Sequence, residues 1–199
     1  MNLFITGTDT DSGKTTVSSW ICSHVKTKYW KIIQTGDDSD SNTVKYFAPN
    51  TEIIPEIYKL KAPLSAYDAS KLENTIINTN KFNISEDKII IEGAGGIFVP
   101  ITDNYLMIDA IKNTNSKALI VSRSKLGMIN HILLTVFALR AKEIPIIGIV
   151  ISGNVENNIK QTIELFSKTK VLAILPESNN LIETFNNIKV PQEIMEVLL

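Results

Sequence analysis

Successive residues of a β-strand point to opposite faces of a sheet, and several short runs of this chain are apolar on both. Asn2–Thr6, Tyr29–Ile33, Lys88–Ile91, Lys117–Ser122, Ile144–Ile151 and Val171–Ile174 offer water almost no polar side. Strands of that kind need cover on both faces. Segments with helical spacing alternate with them: Lys14–Lys26, Met128–Lys142, Glu156–Lys168 and Gln192–Leu199. The pattern predicts an α/β fold, a mostly parallel sheet flanked by helices, in a single domain over residues 1–199. Ligands of such sheets bind at the carboxyl ends of the strands.

Less regular stretches lie between. Thr35–Asn42 is rich in Gly, Asp and Ser and reads as a loop, with a short helix over Thr43–Phe47. Glu56–Leu60 reads as a strand, and Pro63 suits the first position of a helix through Leu72. Ile76–Asp87 is polar and without clear period.

Composition narrows the partners. Net charge is −1, from 20 Lys+Arg against 21 Asp+Glu, which leaves no basic footprint for nucleic acid or an anionic membrane. No apolar run reaches membrane-spanning length. The first residues form an apolar strand without a basic leader, so a cytoplasmic location is expected. One cysteine, Cys22, and two histidines, His24 and His131, exclude a disulfide framework and a thiolate- or imidazole-based metal cage. Only Arg123 and Arg140 are arginine, so phosphate would have to be held by lysines and backbone N–H groups.

The first loop carries the strongest chemical signal. Gly7-Thr8-Asp9-Thr10-Asp11-Ser12-Gly13-Lys14-Thr15-Thr16 joins a strand to a helix and ends as a phosphate-binding loop does. Gly13 allows close approach of backbone to phosphate. Consecutive N–H groups and the helix start supply positive potential. Lys14 is placed for the β- and γ-phosphates, and the Thr15 hydroxyl for Mg²⁺. The leading glycine of the usual pattern is displaced by one residue, with Thr8 in its place. A second acid at a neighbouring strand end is needed for Mg²⁺. Glu92 is so placed, and Gly93-Ala94-Gly95-Gly96 after it permits close contact with a ligand. Lys31, with Thr35, Gly36 and Asp40 beyond it, forms a third group. Asp40 is a further candidate metal ligand, in competition with Asp37 and Asp38. Gly127 to Asn130 opens a helix whose free N–H groups suit a carboxylate, although an ordinary helix start has the same appearance.

Together these residues resemble the dethiobiotin synthetase family. Gly-Thr-Asp-Thr-Asp-Ser-Gly-Lys-Thr at 7–15, Lys-Ile-Ile-Gln-Thr-Gly at 31–36, Glu-Gly-Ala-Gly-Gly at 92–96 and Lys-Leu-Gly-Met-Ile-Asn-His at 125–131 stand in the family's order. The resemblance implies a P-loop NTPase fold and an ATP- and Mg²⁺-dependent ligase. Its reaction would carboxylate 7,8-diaminononanoate with CO₂ and close the ring to dethiobiotin through a carbamate and a carbamic–phosphoric anhydride. It further implies that Asp11, Ser12, Gly13, Lys14, Thr15 and Thr16 wrap the phosphates. Thr10 and Asp11 would border the diamine, and Lys14 and Lys31 would stabilise charge on the reacting groups. Thr35 would hold the carbamate. Thr15, Asp40 and Glu92 would complete the metal site, with Gly93, Ala94 and Gly95 beside the nucleotide. Ser152 and Gly153, where the family usually has asparagine, and Leu175, Pro176 and Glu177 would face the base. Gly127, Met128, Ile129 and Asn130 would hold the substrate carboxylate across the interface of a homodimer. The alternative is a partition or switch ATPase of the same branch, which uses a lysine near the start of the phosphate loop. Residues 8 to 12 contain none.

Overall fold

The computed structural model describes residues 1–199. In chain order the elements are β1 (Asn2–Gly7), α1 (Lys14–His24), β2 (Lys28–Lys31), β3 (Ile33–Thr35), α2 (Asp40–Phe47), β4 (Glu52–Ile54), β5 (Tyr58–Leu60) and α3 (Ala66–Leu72). They continue with β6 (Ile90–Gly96), β7 (Pro100–Thr102), β8 (Tyr105–Leu106), α4 (Met107–Asn113), β9 (Ser116–Arg123) and α5 (Met128–Ala141). The last are β10 (Ile146–Ser152), α6 (Asn157–Ser167), β11 (Val171–Leu175), α7 (Leu181–Asn187) and α8 (Gln192–Leu198).

Seven strands form one sheet in the order β11-β10-β9-β1-β6-β2-β4, and every pair in it is parallel. The two-faced apolar runs explain its centre. Along β1, Leu3 and Ile5 enter one core and Phe4 the other; Ile90 and Ile91 of β6 split the same way, as do Leu119 and Ile120 of β9. Val17 and Ile21 of α1 and Ile194 and Val197 of α8 pack one face. Ala69 of α3, Ile108 and Ile111 of α4, and Ile132, Val136 and Leu139 of α5 pack the other. The expected parallel sheet covered on both sides is therefore what the chain forms. The chain crosses from one side of β1 to the other between β6 and β9, so the carboxyl end of β1 sits at a switch point, where a crevice opens.

Several boundaries differ from expectation. The apolar run Tyr29–Ile33 is not one strand. It breaks at Ile32, whose N–H turns to the carbonyl of Glu92 at 3.2 Å, and Ile33–Thr35 leaves to pair with β5 in a separate two-stranded sheet. An apolar run carries no mark of such a break. Thr35–Asn42 is not all loop, because Ser39 caps α2 by accepting from the Asn42 N–H at 3.2 Å and starts the helix at Asp40. The helix expected at Pro63 starts at Ala66 instead, since Ser65 rather than the proline supplies the cap, accepting from the Asp68 N–H. Glu56–Leu60 is strand only from Tyr58. Ile76–Asp87 holds a single 3₁₀ turn, Thr79–Phe82, that buries Phe82 completely. β6 runs on through Gly96 rather than stopping at Ile91.

Phe4 sits at the centre of this packing, fully buried, with its ring against Gly93 beside the site. Phe4→Ala is expected to cost about 3–5 kcal/mol of stability, the usual range for truncating a buried aromatic side chain, as read by chemical denaturation.

Candidate active site at the carboxyl end of the central strands

The loop between β1 and α1 is stitched to β9. The Thr8 N–H donates to the Val121 carbonyl at 2.9 Å, and the Thr8 hydroxyl to Ser122 Oγ at 3.0 Å. Asp11 and Gly13 both have positive φ, 55° and 93°, which turns the chain back on itself before the helix. At Gly13 a side chain would also collide with Ser152, whose Cβ lies 2.6 Å from where a Cβ would stand. No side chain caps α1, so its first N–H groups face the loop. Ser12 points a buried hydroxyl into the same turn without any partner. Uncapped N–H groups and an orphan hydroxyl are what a bound anion would satisfy. Lys14 is buried and donates to the Asp9 carbonyl at 3.2 Å. Burial and then the neighbouring charge of Lys31 push its pKa down.

Next to this loop lies a buried ionic cluster. Glu92, 0% exposed in β6, is its centre. Its Oε1 accepts from Thr15 Oγ1 at 2.9 Å and from Lys31 Nζ at 3.0 Å. Its Oε2 accepts from Ser18 Oγ at 2.5 Å and from the Tyr29 hydroxyl at 3.1 Å. Lys31 also reaches Asp40 Oδ2 at 2.5 Å and the Gly93 carbonyl at 3.1 Å. Burial opposes the charge on Lys31, but Glu92 and Asp40 outweigh it and hold its pKa above the ordinary lysine value. Burial likewise pushes the Asp40 carboxyl up, and Lys31 more than reverses this, so its pKa lies below the usual value. Of the three aspartates in the second loop, the structure brings Asp40 into the cluster; Asp37 and Asp38 are exposed.

The oxygens of Thr15, Asp40 and Glu92 converge. Thr15 Oγ1 stands 2.8 Å from Asp40 Oδ1 and 2.9 Å from Glu92 Oε1, yet its one hydrogen serves only one of them. Two carboxylates and a hydroxyl are a hard, all-oxygen donor set that suits Mg²⁺, which keeps its other positions for water and phosphate oxygens. No group of three or more His, Cys, Asp or Glu residues forms a metal cage.

Ser152 and Gly153 end β10 against the phosphate loop, and the Gly153 N–H donates to the Leu175 carbonyl at 2.7 Å. Pro176 follows Leu175, and Glu177 approaches Arg123 at 3.6 Å. Of this group, Ser152 lies directly against Gly13 of the phosphate loop. A cavity of about 360 Å³ is lined by Thr8, Asp9, Thr10, His131 and Thr135 and by the apolar Ile97, Phe98, Val99 and Leu134. Gly127 opens α5 with φ 90° and no side-chain cap. Lys125 just before it pairs with Asp9 at 2.9 Å, which pulls the Asp9 pKa down. Gly127 to Asn130 do not line the cavity; His131 and Leu134 of the same helix do. Thr35 ends β3, where its carbonyl accepts from Gln34 Nε2 at 3.1 Å, while Gln34 Oε1 accepts from the Asp40 N–H at 3.2 Å. Thr16 lies in the first turn of α1, and Ala94 and Gly95 continue β6 past Glu92.

Sequence reasoning passed over Ser18 and Tyr29. A signal existed in their spacing. Ser18 stands three residues after Thr15 on one helix face, and Tyr29 two before Lys31 on one strand face. Both therefore point where their functional neighbours point.

This fold and loop define a P-loop nucleoside-triphosphate protein. A family model described as an AAA domain matches residues 1–184. Among solved structures, the cell division ATPase MinD of Pyrococcus furiosus superposes with a TM-score of 0.55 at 14% identity, covering 99% of this chain and 96% of that one. A ParA family ATPase from Chlorobium tepidum gives 0.52 at 12%, over 98% and 92%. At such identities the likeness is one of fold. Sequence relatives are far closer. The ATP-dependent dethiobiotin synthetase BioD of Paramagnetospirillum magneticum is 42% identical over 175 residues, 86% of this chain and 85% of the relative. The enzyme of the same name from Lawsonia intracellularis is 39% identical over the whole of both chains. The chain belongs to the dethiobiotin synthetase family, whose members are ligases.

The depressed pKa of Asp40 carries a sign that can be checked. Its carboxylate is stabilised in the folded state, so it contributes stability above its unfolded value of about 3.8 and loses it as the pH falls through its lower folded value. Asp40→Asn is expected to lower stability at pH 7, with the gap to wild type closing below about pH 3.8, in parallel denaturation curves.

Proposed function

We propose that this chain catalyses the ATP- and Mg²⁺-dependent carboxylation and ring closure of 7,8-diaminononanoate to dethiobiotin. The observation that carries the reading is the Lys31–Asp40–Glu92 cluster with Lys14, which bonds the Asp9 carbonyl, next to a cavity that Asp9 and Thr10 line together with Ile97, Phe98, Val99 and Leu134. A lining of both polar and apolar groups suits a diamine head on an aliphatic tail.

The chemistry follows from the groups available. One substrate amine attacks CO₂, forming an N–C bond and losing a proton to give a carbamate. Thr10, Asp11 and Thr35 border this head group. A carbamate oxygen then attacks the γ-phosphorus of ATP, the bond to the bridging oxygen breaks, and ADP leaves. Lys14 and Lys31 offset the negative charge that spreads over carbamate and phosphoryl oxygens, a contribution of the kind worth several kcal/mol in a site shielded from water. The second amine attacks the carbamoyl carbon of the mixed anhydride and loses a proton. The C–O bond breaks, inorganic phosphate departs, and the cyclic urea is closed. Asp11 to Thr16 wrap the phosphates. Thr15, Asp40 and Glu92 would hold Mg²⁺, which would supply positive charge to offset that of the phosphates. Ser152, Gly153, Leu175, Pro176 and Glu177 face the base.

The substrate carboxylate is assigned to the N–H groups of Gly127 to Asn130 from the other subunit of a homodimer. The uncapped start of α5 supports this, as do the exposed side chains of Phe98 and Leu134 that line the cavity. A cytoplasmic location fits this role, and no helix is long and apolar enough to cross a membrane.

ATP turnover with and without diaminononanoate and bicarbonate tests the reading: product should require all three, and turnover indifferent to diamine and bicarbonate sinks it. Lys31→Met should lower dethiobiotin formation by about 100-fold or more while ADP affinity stays within a few-fold. Wild-type product formation by this variant would remove the role given to Lys31.

A further inference from the structure

The proposed reaction uses one oxygen of Glu92, and the structure spends two buried hydroxyls on the other. Oε1 faces Thr15 and Lys31. Oε2 turns away from them to Ser18 and Tyr29, both 0% exposed. Neither hydroxyl makes a further hydrogen bond, and neither reaches the phosphate loop or the cavity. Apolar packing does not call for the hydroxyl of Tyr29: the residue belongs to the buried cluster that holds Val17, Ile21, Val44 and Ile90, where a phenylalanine ring would serve as well.

We propose that Ser18 and Tyr29 are positioning residues that clamp Oε2 of Glu92 and so present Oε1, in one orientation, to the divalent cation. The inference rests on the reading of Glu92 as a metal ligand. The terminal torsion of a glutamate is soft and roughly two-fold, so an unclamped carboxylate exchanges its two oxygens and tilts its plane. Two donors on the same oxygen, arriving from different elements, remove that freedom. The clamp also moves with the site. Ser18 shares α1 with Lys14 and Thr15, and Tyr29 shares β2 with Lys31. Each element therefore supplies one group to Oε1 and one to Oε2, and a shift of either carries both. Partners that orient a metal ligand from behind commonly matter 10- to 100-fold to metal affinity.

Mn²⁺ is the probe, with free Mn²⁺ read by electron paramagnetic resonance in the presence of saturating ADP. Tyr29→Phe and Ser18→Ala are each expected to weaken Mn²⁺ binding by about 10-fold or more, with ADP affinity in the absence of metal unchanged. Metal-free ADP binding reports that the loop is folded, and a variant that fails this control leaves the other to decide. If the folded variants bind Mn²⁺ as wild type does and only melt earlier, the hydroxyls serve stability and the proposal falls. If both variants lose metal-free ADP binding as much as Mn²⁺ binding, the hydroxyls hold the loop rather than the carboxylate, and the proposal falls as well. The titration contains no diamine. A wild type that binds Mn²⁺ but makes no dethiobiotin would therefore defeat the proposed reaction and leave this inference standing.

Discussion

A carboxylate taken out of water costs several kcal/mol unless donors meet its oxygens. Glu92, buried in β6 beside the central strand β1, is met by Lys31, Ser18 and Tyr29 and faces the Thr15 hydroxyl, which it shares with Asp40. That requirement organises the site. It fixes the first turn of α1 relative to β6, and it draws Lys31 inward from the end of β2. Through Lys31 it also brings in Asp40 at the start of α2. Three elements from the first quarter of the chain, α1, β2 and α2, are tied to one side chain far along it, α2 by way of Lys31. The phosphate loop inherits its position from the same arrangement, because α1 begins where the loop ends.

The sheet was readable because its strands are apolar at consecutive positions, a pattern that leaves few alternatives to a parallel sheet covered on both sides. The loop at residues 7–16 was readable because its chemistry demands particular residues at fixed spacing. Other parts were not. The break at Ile32 lies inside an unbroken apolar run, and only the pairing of Ile33–Thr35 with β5 shows it. The three-residue strand β4 and the short helices α4 and α7 are below the length at which periodicity speaks. Helix α4 is held locally by Asp109, which accepts from the Leu106 N–H, a signal easily lost next to a strand.

Within the site, legibility divided by distance along the chain. Residues within one motif could be read together, such as Gly13, Lys14 and Thr15. The choice of Asp40 over Asp37 and Asp38 needed the fold, because it turns on which of them α2 carries toward Lys31. Ser18 and Tyr29 resemble ordinary helix and strand residues. What sets them apart is what stands opposite them, a carboxylate more than 60 positions further on.

The gathering of Lys14, Lys31, Asp40 and Glu92 at one site has an electrical consequence. Two ammonium groups are matched by two carboxylates inside a chain whose net charge is −1. Seen from a distance, such a site has almost no monopole. A polyanion approaching through solution is not drawn in by a long-range field of the kind that accelerates capture at strongly charged clefts. Recognition falls to groups that act at contact, the N–H dipoles at the start of α1 above all. The rate at which this protein captures a triphosphate should accordingly change little with ionic strength.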